Sequence, residues 1–486
     1  MPCRLAISSM SLGRCYAGHS LSHKLDMAQK YGYKGIELFY EDLADLAKSL
    51  SPDGSSAQPS AAAQLAAAHN IRHMCDSRGL EVVCLQPFLN YDGLVDRNEH
   101  QRYLKRLALW IKLAQVLGTD IIQIPSNFLP AEQVTDNLDL IVADLCQVAD
   151  IGLQQSPPIR FAYESLSWAT RVDVWERCWE VVQKVDRPNF GMCLDTFNIA
   201  ARIYADPASP TGRVPGAEEE VRKSMERLVA RVDVSKVFYV QVVDGERLRQ
   251  PLVKGHAFYD AEQPARMSWS RNCRLFYGEK GGYLPVREIA SAFFHGLGFD
   301  GWVSLELFNR RMSDDGAEVP EELAWRGAVS WNKLVEDLGL ECAPSTMISA
   351  SLLLLDLQVP GRKLESGSIP EGAQATDDGD GLVAEVAVVP PGLPGVDVGH
   401  VHLDEGDGDA EQGVADHDAR VRQASRVDDD GGDPVPAGRA RVRPQAGGRL
   451  DAVDDGAVVV RLEGLELESQ VVGLLPRLRL DVGEGG

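Results

Sequence analysis

The chain has 486 residues, a formal net charge of −23, nine cysteines, and no apolar run that approaches the length of a membrane span. Residues 346–486 hold 27 acidic against 12 basic side chains, so residues 1–345 carry a charge ordinary for a soluble domain. These features exclude a basic nucleic-acid footprint and a transmembrane protein, and cysteines scattered without a CxxC pair point to reduced thiols and a cytoplasmic setting instead of a disulfide framework.

In chain order, RLAISSMSL (4–12) reads as a first strand, and the spacing of Leu21, Leu25 and Ala28 predicts a helix over 21–33. A second strand, GIELFY (35–40), leads through a Ser/Ala/Gln stretch to a helix over 61–79. Strand 80–90, helix 100–118, strand 120–127 and helix 132–154 follow, with glycine closing the helix at 118. Next come strand IRFAYESL (159–166), helix 171–185, strand FGMCLDTFNI (190–199), helix 218–232 and strand VFYVQVVDGE (237–246). A non-periodic insertion spans 247–282, and the pattern ends with helix 285–298, strand GWVSLELFN (301–309) and helix 321–339. Eight strands alternating with eight helices imply a parallel sheet closed into a (β/α)8 TIM barrel over residues 1–345, longer than the usual ~250 residues because of its insertions. An open doubly wound sheet is the alternative, but no GxGxxG follows the first strand.

Residues 346–486 are of another kind. No aromatic residue follows Trp331, no isoleucine follows Ile369, and Gly, Asp, Val, Ala and Glu dominate from about residue 370. Such a segment has little with which to build a core. It is expected to be a disordered acidic tail or the translation of a GC-rich reading frame never shaped as protein.

The chemistry lies at the strand ends. Four consecutive apolar strands each carry one oxygen-bearing side chain deep in the run or at its end: Glu164, Asp195, Gln241 and Glu306. Burying one such group is costly, and four in succession suggest a shared partner. Three carboxylates and an amide oxygen suit Mg²⁺ or Mn²⁺ better than zinc. Each residue alone could equally be solvated at a loop. Glu37 on the second strand is open between a functional and a structural role, and Asp244 is read as a turn cap. The insertion holds Arg266, Arg271 and Arg274 with Ser268, Ser270 and His256, and an arginine there would pair with a substrate carboxylate. His19, His23, His69, His73, His100 and His295 are expected at the surface or its boundary.

The segments YESLSW, CLDTFNIA, QVVDGERL, MSWSRNCRLFYGE and WVSLELFNRR, with the opening AISSMSLGRCYAGHSLSHKLDMAQKYGYKGIELFYEDL, resemble the fungal 3-dehydroshikimate dehydratases of the xylose-isomerase-like barrel superfamily. The resemblance covers about residues 1–345. It implies conversion of 3-dehydroshikimate to protocatechuate and water with a divalent metal on Glu164, Asp195, Gln241 and Glu306, in quinate catabolism. It also implies that Ser270 and Arg274 bind substrate, as a Ser-x-x-x-Arg pair of bacterial relatives does. Those relatives place a catalytic histidine three residues after the strand-six aspartate; here Asn198 stands there, and His256 is the substitute candidate. Some bacterial relatives carry a C-terminal oxygenase-like domain, which the aromatic-free tail does not resemble. The competing readings are a sugar isomerase or epimerase of the same superfamily, which has no use for Arg274, and a non-catalytic paralogue with an acidic interaction tail. A homo-oligomer is left open.

Overall fold

The structure is a computed structural model that describes residues 3–50 and 59–340, with three short tail strands. Strands β1 (Arg4–Ser8), β2 (Gly35–Phe39), β3 (Glu81–Gln86), β4 (Ile121–Pro125), β5 (Arg160–Glu164), β6 (Phe190–Asp195), β7 (Val237–Gln241) and β8 (Trp302–Leu305) pair in parallel, each with the next. Strand β8 closes the barrel on β1, with Arg4 opposite Trp302 and Ile7 opposite Leu305. The expected closed barrel is therefore the observed one.

Around it lie α1 (Leu21–Lys30), α2 (Tyr40–Ser49), α3 (Ala61–Asp76), α4 (Arg97–Leu117), α5 (Leu138–Leu153), α6 (Trp175–Val185), α7 (Thr196–Ile203), α8 (Ala217–Arg231), α9 (Ala265–Cys273), α10 (Val286–Ser291) and α11 (Val319–Leu338). Three of these depart from expectation. Helix α2 follows β2 at once, with Glu41 and Asp42 in its first turn, where the acids suit the positive end of the helix dipole. Helix α7 begins where the strand was expected to run on to Ile199; the four residues from Thr196 to Ile199 are too short a stretch to separate strand from helix by period. What ends the strand is Asp195, whose side chain accepts from the Phe197 backbone N–H at 2.8 Å as a helix N-cap. Helix α9 lies inside the insertion that showed no periodicity.

The core has two layers. The larger fills the space between strands and helices. The smaller joins Ala6, Cys84, Ile121, Ala162, Cys193, Tyr239 and Trp302, residues from seven different strands that can meet only inside the barrel. Strand side chains alternate, so the residues two positions on occupy the next inner layer. Those residues are Ser8, Gln86, Gln123, Glu164, Asp195, Gln241 and Ser304, all buried and all polar. The barrel thus has an apolar plug below a polar floor at the C-terminal ends of its strands.

The insertion packs over that end. Asp244–Gly245 pairs antiparallel with Arg274–Leu275, and the buried Trp269 donates its indole N–H to the Glu246 carbonyl at 2.9 Å. A β-carbon on Gly245 would come within 2.6 Å of the Trp269 ring, so the close approach of α9 requires glycine there. Asp244 caps this turn as expected, accepting from the backbone N–H groups of Gly245, Tyr283 and Leu284 at 2.6, 3.1 and 2.9 Å.

His19 and His100 are buried, contrary to expectation. His19 Nε2 lies 2.7 Å from the Asp314 carbonyl, and His100 Nε2 lies 3.2 Å from Asp144. The tail strands Val383–Val388, Val458–Glu463 and Leu480–Asp481 pair antiparallel, with the first in the middle. The boundary expected at 345 and the rest of the tail lie outside the described residues. Among the described residues no helix is long and apolar enough to cross a membrane, and all eight cysteines are free thiols.

Between α1 and the first turn of α2, the fully buried Lys24 pairs with Asp42 and donates to the Gly13 carbonyl at 2.9 Å, while Ser9 donates to Asp42 at 2.7 Å. Removing one member strands the other's charge. Lys24→Met is expected to cost about 3–5 kcal/mol in urea denaturation, and the double variant Lys24→Met/Asp42→Leu less than that. A single-variant loss below about 1 kcal/mol would show the pair to be dispensable.

Candidate active site at the mouth of the barrel

Glu164 and Asp195 are the last residues of β5 and β6, and Glu306 directly follows β8. One carboxylate oxygen from each lies within 4.8 Å of the other two, and all three residues are buried. Gln241 ends β7 in register with Asp195 on one side and Ser304 on the other. Of the four residues expected to act together, Glu164, Asp195 and Gln241 thus end three adjacent strands, and Glu306 stands two residues beyond Ser304, the residue opposite Gln241 on the next strand.

Carboxylates so placed resist ionisation. Burial, then repulsion from Glu306 and Asp195, holds Glu164 well above the usual carboxylate range. Burial pushes Glu306 up to about 8 against the pull of Arg274, and raises Asp195 against the same pull. The polar neighbours offset part of this cost. Asn198 Nδ2 donates to Glu164 at 2.9 Å and to Asp195 at 2.7 Å, and its own oxygen accepts from the Ser167 backbone N–H at 3.0 Å. Gln123 donates to Glu164, and Gln86 donates to Glu306 and to Glu37, both at 3.0 Å. Arg274 Nη1 donates to Asp195 and to Glu306 at 3.1 Å each, and Nε donates to Ser270 Oγ at 3.1 Å.

Arg274 is only 1% exposed. Its guanidinium lies over the Phe197 ring at 4.5 Å and the Phe308 ring at 5.0 Å. Asn309 fixes its backbone by donating to the Arg274 carbonyl at 2.8 Å. Arg274 and Ser270 line a cavity of about 120 Å³ with Gln86, Gln123, Glu164 and Glu306.

A hard divalent cation fits these residues. The triad supplies charged oxygens at one point, and Gln241 Oε1 is buried without a hydrogen-bond partner. A carbonyl left so is costly unless something binds it. The donor set is all oxygen, which matches Mg²⁺ or Mn²⁺.

His256 is the sequence candidate that the fold does not bring to this cluster. It sits half-buried in the loop before α9, where Nδ1 accepts from the Phe258 backbone N–H at 3.1 Å. Sequence reasoning missed Gln86 and Gln123. The signal was present, since each is a polar residue within an otherwise apolar strand, as Gln241 is.

A family model described as "Xylose isomerase-like TIM barrel" matches residues 25–333. The 3-dehydroshikimate dehydratase of Neurospora crassa is 72% identical over 341 residues, covering 70% of this chain and 95% of that protein. The 3-dehydroshikimate dehydratase of Pseudomonas aeruginosa is 29% identical over 295 residues, 60% of this chain but only 36% of the bacterial protein. Among solved structures, a xylose isomerase-like TIM barrel/4-hydroxyphenylpyruvate dioxygenase fusion protein superposes with a TM-score of 0.52 at 24% identity, covering 70% of this chain and 44% of that one, a likeness that bears on the fold alone. On the family match across the barrel and the identity along nearly the whole fungal relative, the chain belongs to the xylose isomerase-like TIM-barrel family, among its 3-dehydroshikimate dehydratases, and is an enzyme of the hydro-lyase class.

Proposed function

We propose that this chain converts 3-dehydroshikimate to protocatechuate and water in quinate catabolism, in the cytoplasm, with Mg²⁺ or Mn²⁺ held by Glu164, Asp195, Gln241 and Glu306. The observation that carries the reading is the meeting of three buried carboxylates with one buried arginine; two of the three, Glu164 and Glu306, line a small cavity together with that arginine. The substrate offers the complementary groups, a ketone flanked by a hydroxyl and, across the ring, a carboxylate.

When bound, the cation supplies positive charge against the negative charge that develops on the ketone oxygen as the adjacent C–H proton leaves. The protein's own groups do the rest. Arg274, whose Nη2 remains after Nε and Nη1 bind Ser270, Asp195 and Glu306, takes the substrate carboxylate, and Ser270 holds its guanidinium plane. Asn198 has no proton to accept, and its place is to hold Glu164 and Asp195 together. The transfer from carbon needs a titratable group. We assign it to His256 on sequence grounds alone. Loss of hydroxide and tautomerisation then yield the aromatic ring, which draws the reaction forward. A neutral sugar would leave Arg274 unused.

The reading is tested by mixing the protein with 3-dehydroshikimate and Mg²⁺ or Mn²⁺ and following catechol absorbance in the ultraviolet. Glu164→Ala and Glu306→Ala are each expected to abolish turnover and to lose metal on dialysis, as measured by elemental analysis. Full turnover by a metal-free variant would refute the metal assignment. His256→Ala is expected to lower kcat about 100-fold or more. An unchanged kcat would remove that imidazole from the chemistry and leave the rest of the proposal standing.

A further inference from the structure

Glu37 is a fourth carboxylate in the same polar floor, third in β2 and fully buried. No lysine or arginine among the described residues forms an ion pair with it. Instead it accepts from two amides. Gln241 Nε2 lies 3.0 Å from one of its oxygens and 3.3 Å from the other, and Gln86 Nε2 lies 3.0 Å from the first. An amide can present either its oxygen or its nitrogen to a site, and nothing in the glutamine itself decides which. The contact geometry decides it, because both Glu37 oxygens accept from the one Gln241 nitrogen, at 3.0 and 3.3 Å. With its nitrogen drawn to Glu37, Gln241 must turn its oxygen the other way, and that oxygen is the buried atom without a partner. Gln86 carries the same constraint further, since its nitrogen also reaches Glu306 at 3.0 Å.

We infer that Glu37 is a positioning residue that sets the polarity of the site: it makes Gln241 show oxygen, not nitrogen, to a hard cation, and through Gln86 it steadies Glu306. This rests on the metal reading above and adds a residue to it. A neighbour that orients a metal ligand in this way typically changes affinity 10–100-fold when lost. The substitution Glu37→Gln keeps the size but can donate as well as accept, so it lets the Gln241 amide turn over.

The test is a Mn²⁺ titration of the full-length apoprotein by electron paramagnetic resonance, with the melting temperature in EDTA as a control. Glu37→Gln is expected to weaken Mn²⁺ binding about 10–100-fold and alter the bound-ion spectrum while melting near wild type in EDTA. The reciprocal exchange decides between positioning and bulk stability. In Glu37→Gln/Gln241→Glu a carboxylate at position 241 needs no orienting, so binding is expected to recover most of the loss. Gln241→Glu alone sets two carboxylates about 3 Å apart and is expected to bind worse than the double variant. Equal Mn²⁺ affinity and spectrum in wild type and Glu37→Gln would overturn the inference, as would failure of the double variant to recover if Glu37→Gln itself does not fold. Absence of Mn²⁺ binding by the wild type would overturn the metal reading first and this inference with it.

Discussion

The burial of Glu164, Asp195 and Glu306 close to one another is the constraint around which the molecule is arranged. Burial raises the proton affinity of all three, repulsion from Glu306 and Asp195 adds to it at Glu164, and oxygens within 4.8 Å of one another cannot all be charged at low cost unless positive charge joins them. The protein supplies one unit of it through Arg274 and surrounds the rest with amides that donate hydrogen bonds. What remains is a site whose own residues set one positive charge against three carboxyl groups, with two amide oxygens, of Gln241 and Gln123, still unclaimed. That imbalance is a liability for stability and an asset for binding a cation.

The barrel makes this arrangement possible by separating two tasks within one set of strands. Its lower interior is filled by Ala162, Cys193, Tyr239, Trp302 and their neighbours, which form a mainly apolar plug. Two residues further along each strand the inner layer turns polar, because alternate positions face the same way. The costly polar groups therefore stand on rigid backbone, with packed side chains beneath and an opening above. Catalytic groups of a barrel lie at this end for the same geometric reason.

The insertion after β7 completes the site from outside the barrel. Helix α9 is pinned by Trp269 and by the short ladder from Asp244–Gly245 to Arg274–Leu275, and this delivers Arg274 into a slot between Phe197 and Phe308. An exposed arginine would be worth little as an anion receptor because water competes for it; one sandwiched between rings and fixed by Ser270 and Asn309 is already aimed.

Much of this was legible in the residues. Strict alternation of strands and helices implied the barrel, and the isolated oxygen-bearing residues of β5 to β8 pointed to Glu164, Asp195, Gln241 and Glu306, since a lone polar group in a buried run needs a partner wherever the chain goes. The sequence did not reveal that Asp195 ends its strand by capping α7, because the cap is a contact between the Asp195 side chain and the Phe197 backbone that an aspartate at a strand end does not announce. It left Glu37 undecided and passed over Gln86 and Gln123, because their meaning lies in which atoms they face across the barrel, and strands far apart in the chain meet only when it closes. By itself the sequence determined which side chains had to be paired; the closed sheet alone decided with whom, because a hydrogen bond or an ion site depends on distances between strands that no local pattern encodes.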